Sequence, residues 1–211
     1  MKKSIETHFE EILKEADAFI SSFPWEDTRA YAGWLAQQYF LVRHTTRLIA
    51  LAISKCEDSR VRDEYIGHLA GERGHDELLL KDLKALGYKI EDFAAFPATR
   101  LMIHNQYYWM NHVSPDSLFG YAQYLEGISI FTVPKVIGRL KAKGITALSF
   151  LQLHAESDED HYPEGLERIR RIGPAAETLI LPNLKESHLL YGQMFADIEA
   201  SLSAAPKSQA A

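Results

Sequence analysis

His154, Asp158 and His161 follow the spacing His-x3-Asp-x2-His. On a helix turning about 100° per residue, they fall within a wedge of roughly 60°. The neighbouring acids Glu156, Glu159 and Asp160 point to the opposite side. The same pattern occurs earlier as His68-x3-Glu72-x2-His75. With nine histidines and 29 acids in the chain, an acid-x2-His pair alone carries no signal. Adding the histidine four residues before the acid lowers the chance expectation to about 0.05 per chain, and the longer pattern is present twice. A third group is Glu126, the only charge between Ser117 and Val133. A carboxylate buried in such a run either takes up a proton or sits on a cation.

Imidazole and carboxylate together select iron, manganese or zinc, whereas a thiolate site needs cysteines and the chain has one. Carboxylate-bridged di-iron sites in helical bundles use a Glu from each of two helices and Glu-x2-His from each of the other two. Here Glu72-x2-His75 and Asp158-x2-His161 supply the paired motifs, and Glu126 is a bridging candidate. The second lone Glu has no source, because no acid lies between Ala30 and Lys55, and His154 would replace it. Each group also has a metal-free reading. The trio on residues 154–161 would be a hydrogen-bonded network, Glu72/His75 a surface pair, Glu126 an acid bonded to Tyr or Gln, and His68 a satisfied core histidine.

The elements that must position these groups read at period 3.6 throughout. Phe9, Ile12, Leu13, Ala16, Phe19 and Ile20 mark a first helix that stops at Phe23-Pro24. Asp27 caps a second, expected to run through Trp34, Leu41 and Leu51 to about Cys56. Ser59 opens a third, carrying His68, Glu72 and His75 and ending at Gly87. A loop over 90–97 leads to a fourth, with Tyr107, Tyr108 and Trp109. Ser114-Pro115 starts a fifth, containing Glu126 and running towards Lys143-Gly144. Thr146 is the expected cap of a sixth, which Pro163 should kink or break just after His161. A last helix follows Gly173-Pro174 to about Leu202, with a kink expected at Pro182. The expectation is an all-α bundle of about seven helices in one domain over 1–211, ordered over about 4–202, with a disordered tail over 203–211.

Net charge is −6 and the basic residues are scattered, which argues against nucleic-acid and anionic-membrane partners. The longest apolar run, Leu48–Ile53, is far short of the roughly 20 residues of a membrane span. MKKSIETHFEE has no apolar core of a signal peptide, and a single cysteine suits a reducing cytoplasm. Cys56 sits at an expected helix C-terminus, where the dipole disfavours a thiolate nucleophile.

A helical Glu-His pair, a lone Glu about 50 residues on, and a terminal His-x3-Asp-x2-His resemble the haem-oxygenase-like di-iron oxidases and oxygenases. That superfamily shares its fold with thiaminase II (TenA) and pyrroloquinoline quinone synthase. The carrying phrases are Glu72-Arg-Gly-His75-Asp-Glu-Leu-Leu-Leu, Tyr124-Leu-Glu-Gly and His154-Ala-Glu-Ser-Asp-Glu-Asp-His161. The resemblance implies a haem-oxygenase-like, TenA-like bundle. It also implies a non-haem site for two irons on Glu72, His75, Glu126, His154, Asp158 and His161. Some members carry the first Glu where this chain has His68, which becomes a further possible ligand or a supporting partner. The implied activity is O₂-dependent oxidation or oxygenation of a small organic acid or amine, in a mostly apolar pocket walled by aromatics of the fourth and fifth helices. A homodimer is the default assembly. Haem on His44 is not expected, since a lone histidine on a mixed helix is usually structural. Two alternatives stay open: a cofactor-free protein of the same fold holding a small heterocycle, and a non-enzymatic helical dimer with a buried polar network.

Overall fold

A computed structural model describes residues 3–203, apart from the side chains of residues 159 and 160. The expected tail lies almost wholly outside the described residues. All regular structure among them is helical: ten α-helices with three short 3-10 turns. The helices are α1 (Ile5–Ser22), α2 (Thr28–Val42), α3 (Thr45–Lys55), α4 (Ser59–Gly71) and α5 (His75–Ala85). They continue as α6 (Pro97–His112), α7 (Leu118–Phe131), α8 (Val133–Ala142), α9 (Ser149–Ile172) and α10 (Ala176–Ser203).

The count exceeds seven because three expected helices are each divided. The second breaks at Arg43-His44, where the His44 amide bonds the Leu41 carbonyl at 3.0 Å and tightens the turn. The third breaks at Gly74, whose φ of +90° is open to glycine and strained for other residues. The fifth breaks at Thr132, two residues before Pro134, which has no amide hydrogen for a continuing helix. Thr132 is held at this corner by donating to Asp17 at 2.9 Å.

Side chains cap the starts of three of the helices. Ser4, Asp27 and Asp58 accept first-turn amides of α1, α2 and α4. Ser114 accepts the Asp116 amide at 3.2 Å, opening a 3-10 turn ahead of α7. On α9 the expected cap and the expected break are both absent. Thr146 is not its cap; Leu148 holds that position and makes no side-chain bond. Pro163 does not end the helix, which continues to Ile172. A proline removes one ladder bond, and packing against α7 and α5 holds the two flanking segments in one helix. α10 likewise continues through Pro182.

The long α10 packs against α6, α7, α1 and α2, and α9 lies against α7 and α5. Buried apolar side chains form one contiguous core. At one end Trp25 meets Trp34 at 5.2 Å between ring centroids, Phe23 at 4.9 Å and Phe195 at 5.9 Å, all edge-on. α4, α5, α7 and α9 surround the polar groups singled out above. Among the described residues, no helix is long and apolar enough to cross a membrane.

Candidate metal centre

On α9, Asp158 is 2% exposed and lies between two imidazoles. His154 Nδ1 is 3.3 Å from its Oδ2, and His161 Nδ1 is 3.4 Å from its Oδ1. Glu72 repeats the arrangement: His68 Nε2 is 3.4 Å from its Oε1 and His75 Nδ1 is 3.2 Å from its Oε2. The routes differ. His154, Asp158 and His161 share one continuous helix, whereas Glu72 caps the end of α4 and His75 opens α5 beyond the Gly74 turn. A spacing of three thus brings Glu72 and His75 together through a turn.

The two motifs meet head to tail. His75 packs edge-on against His154, with ring centroids 4.8 Å apart, and His68 lies 5.7 Å from His161. Glu126 on α7 is within electrostatic reach of His68, Asp158, His161 and Glu72. All seven candidate residues therefore belong to one neighbourhood, but only three form a compact donor set. Glu72, His75 and His154 offer ligand atoms that all lie within 4.8 Å of one another. Of the rest, His68 lies against Glu72 and Asp158 against His154.

The donor chemistry of the compact set fits a divalent cation of intermediate softness: two imidazoles and one carboxylate. One buried nitrogen there, His154 Nε2, has no hydrogen-bond partner. Buried polar atoms are rarely left so, and a cation is a partner of the right kind for a neutral imidazole.

Electrostatics separates the three carboxylates. Burial alone would raise the Glu72 carboxyl, but hydrogen bonds from His68 and His75 outweigh it and hold it well below the usual range. Asp158 is lowered in the same way, with burial opposed by His154 and His161. Glu126 goes the other way: burial pushes it up to about 7, and nearby Asp158 adds to this against His68 and His161. Burial lowers His68, yet Glu72 leaves it raised overall; His161 is raised chiefly by Asp158.

His68, Glu72, Glu126, His154 and Asp158 line a cavity of about 110 Å³, room for several waters or a few heavy atoms. Its wall is mostly apolar, with Trp34, Tyr65, Phe119, Tyr121, Phe150 and Tyr191 among the aromatics. The fifth expected helix supplies Phe119 and Tyr121, but α6 contributes none of the described lining. Tyr107 instead bonds His44 at 3.3 Å, Trp109 donates to Glu186 at 2.6 Å, and Tyr108 is exposed. His44 is thereby committed to Tyr107, away from the cluster.

Two supporting residues escaped the sequence reading. Gln123, 2% exposed, donates through Nε2 to Glu126 Oε2. The signal was available, since Gln123 and Glu126 are the polar pair at i,i+3 in the uncharged run. Gly165 lies seven residues after Asp158 on the same face of α9, and a Cβ there would overlap the Gln123 amide.

A family model described as "iron-containing redox enzyme" matches residues 32–178. No curated protein matches the chain. Among solved structures, a domain of unknown function with a haem-oxygenase-like fold from Shewanella denitrificans OS217 superposes with a TM-score of 0.83 at 18% identity. That alignment covers 96% of this chain and 94% of the other. A TenA homologue from Pseudomonas syringae pv. tomato DC3000 superposes with a TM-score of 0.75 at 13% identity, covering 92% of both chains. At these identities the two structures show the fold, an all-α haem-oxygenase-like bundle.

Proposed function

The chain belongs to the iron-containing redox enzyme family, and on that premise we propose that it is a non-haem di-iron oxidase or oxygenase acting on a small organic acid or amine. The observation that supports this most is the compact set of Glu72, His75 and His154, with the buried His154 Nε2 left without a partner. Those three residues would hold one iron. Glu126, Asp158 and His161 would hold a second, with His68 as a supporting partner. Bound iron would supply O₂ binding and electron transfer, chemistry that no side chain provides.

The protein's own contribution is arrangement. Asp158 fixes the orientation of His154 and His161 through their Nδ1 atoms, which leaves Nε2 of each as the free donor. Gln123 holds the Glu126 carboxyl towards the cluster. The aromatic wall offers apolar surface to a substrate's carbon skeleton.

Anaerobic purification, addition of iron(II) and measurement of iron per chain test the proposal. The parent protein should bind up to two irons. His154→Ala should abolish binding at the compact set, and Asp158→Ala should cost the second iron. No iron on the parent protein refutes the function, and full iron on both variants refutes the ligand assignment.

A metal-free reading is favoured by one observation: both Asp158 oxygens already lie against imidazoles. In that case the same residues hydrogen-bond a small heterocycle in the cavity, and the parent protein binds no iron.

A further inference from the structure

α9 carries His154, Asp158 and His161, yet it begins without a cap of its own. The missing acceptor comes from another helix. Asp82 on α5, 1% exposed, accepts the Phe150 amide through Oδ2 at 3.0 Å. A carboxylate is well placed there, since the first-turn amides of a helix are unpaired and its N-terminus is the positive end of the dipole. The loop ahead of α9 has a second tether: Tyr31 on α2 donates to the Ala147 carbonyl at 2.6 Å.

The position of Asp82 gives the bond a further role. His75 and Asp82 are seven residues apart on α5, two turns along one face. Across the gap, the Phe150 ring lies 4.4 Å from His154 between centroids, and His154 lies 4.8 Å from His75. A closed circuit results, from His75 along α5 to Asp82, across to Phe150, on to His154 and back to His75. Changing the reach at Asp82 slides the start of α9 along α5 and alters the gap between the two imidazoles.

We propose that Asp82 is a positioning residue that sets the His75–His154 separation by clasping the start of α9 to α5. The inference rests on the metal reading of those two histidines. A plain helix cap needs only an acceptor, whereas a spacer needs an acceptor on an arm of one length.

Three variants separate the two roles: Asp82→Asn keeps acceptor and length, Asp82→Glu keeps acceptor and charge but adds a methylene, and Asp82→Ala removes the acceptor. Cobalt(II) is the probe, because its visible spectrum reports ligand geometry. Affinity and spectrum are measured on each variant beside the melting temperature of the metal-free protein. The Asn variant should stay within about threefold of the parent, while Glu and Ala should weaken binding by roughly 10–100-fold with altered spectra. If Ala does not fold, the Asn–Glu comparison decides. Parent-like affinity and spectrum in the Glu variant, whatever its melting temperature, overturn the proposal. Should the parent bind neither cobalt nor iron, the metal reading fails, and the clasp is judged on the metal-free protein. A nuclear Overhauser contact between the His75 and His154 rings, kept in Asn and lost in Glu, then supports it; a contact kept in Glu refutes it.

Discussion

Gly165→Ala should destabilise the protein although alanine is the better helix former. Position 165 is inside α9, where replacing glycine by alanine normally gains about 1 kcal/mol. Here the new Cβ would overlap the Gln123 amide, which is buried and bonded to Glu126. Gln123 must either leave Glu126, losing a charge-assisted bond of about 1.5–3 kcal/mol, or force α9 away from α7, an overpacking cost of about 1–3 kcal/mol. Against the propensity gain, the net loss is up to about 2 kcal/mol, or up to roughly 8 °C in melting temperature for a chain of this size. The assay is a double-mutant cycle by urea unfolding of the metal-free protein, with Gly165→Ala, Gln123→Ala and both. Removing the Gln123 side chain should turn the alanine at 165 from destabilising to neutral or stabilising. Gly138→Ala is the control: its site on α8 is exposed with nothing within 4 Å, so it should gain up to about 1 kcal/mol. A Gly165→Ala penalty that persists without the Gln123 side chain refutes the reasoning.

Iron(II) or cobalt(II) at 100 times its dissociation constant should stabilise the folded protein by about 2.7 kcal/mol for each site filled, a rise of roughly 5–10 °C by scanning calorimetry; His154→Ala should lose the rise due to the compact set. Gln37, 1% exposed, accepts the Phe96 amide and the Thr99 hydroxyl and donates to the Ala94 carbonyl. Its replacement by alanine leaves the buried Thr99 hydroxyl and two less buried backbone groups without this partner and should cost about 1–3 kcal/mol in urea unfolding. Acid should loosen the join between α8 and the first two helices. Arg139 lowers the Glu26 carboxyl, and for Asp17 burial is outweighed by Lys135 and Thr132. Because both folded values lie below the unfolded ones, the unfolded state binds more protons as the pH falls. The contribution is complete above about pH 4.5 and is lost as the pH drops through the folded values. Both carboxylates are about one-third exposed and Lys135 more than half, so solvent screening limits the sum to about 1 kcal/mol. The stability gap between the parent and Asp17→Asn/Glu26→Gln should close between pH 5 and 3; a constant gap contradicts this.

Helices were legible because burying one stripe of a helix imposes a repeat of 3.6, as Phe9, Ile12, Leu13, Ala16 and Ile20 do on α1. Their interruptions were not, because a break costs the pattern only a residue or two. Glu72-x2-His75 has the same spacing through the Gly74 turn as along a continuous helix, so sequence placed the pair correctly for the wrong local reason. Pro134 ends a helix and Pro163 does not, a difference set by neighbouring packing that neither proline encodes. His154, Asp158 and His161 could be read because their partners are one turn away. Asp82 could not, since the amide it caps is 68 residues distant and nothing local marks an acid as buried. Gly165 became meaningful only once Gln123 was seen against it.

The Gly74 turn has a consequence for the life of the protein as well as for its site. Glu72 ends one rigid segment, His75 begins the next, and His154 belongs to a third, with α5 to α8 in between. An ion held by all three would act as a cross-link closing a loop of about 80 residues, whose length-dependent closure entropy is about 4 kcal/mol. Such a tie restrains the opened chain far more than it alters the closed one. Metal loss would then free the whole intervening segment to open as a unit and expose its backbone to proteases. Abundance of the protein in a cell would follow the supply of its ion, through a staple set across one glycine turn.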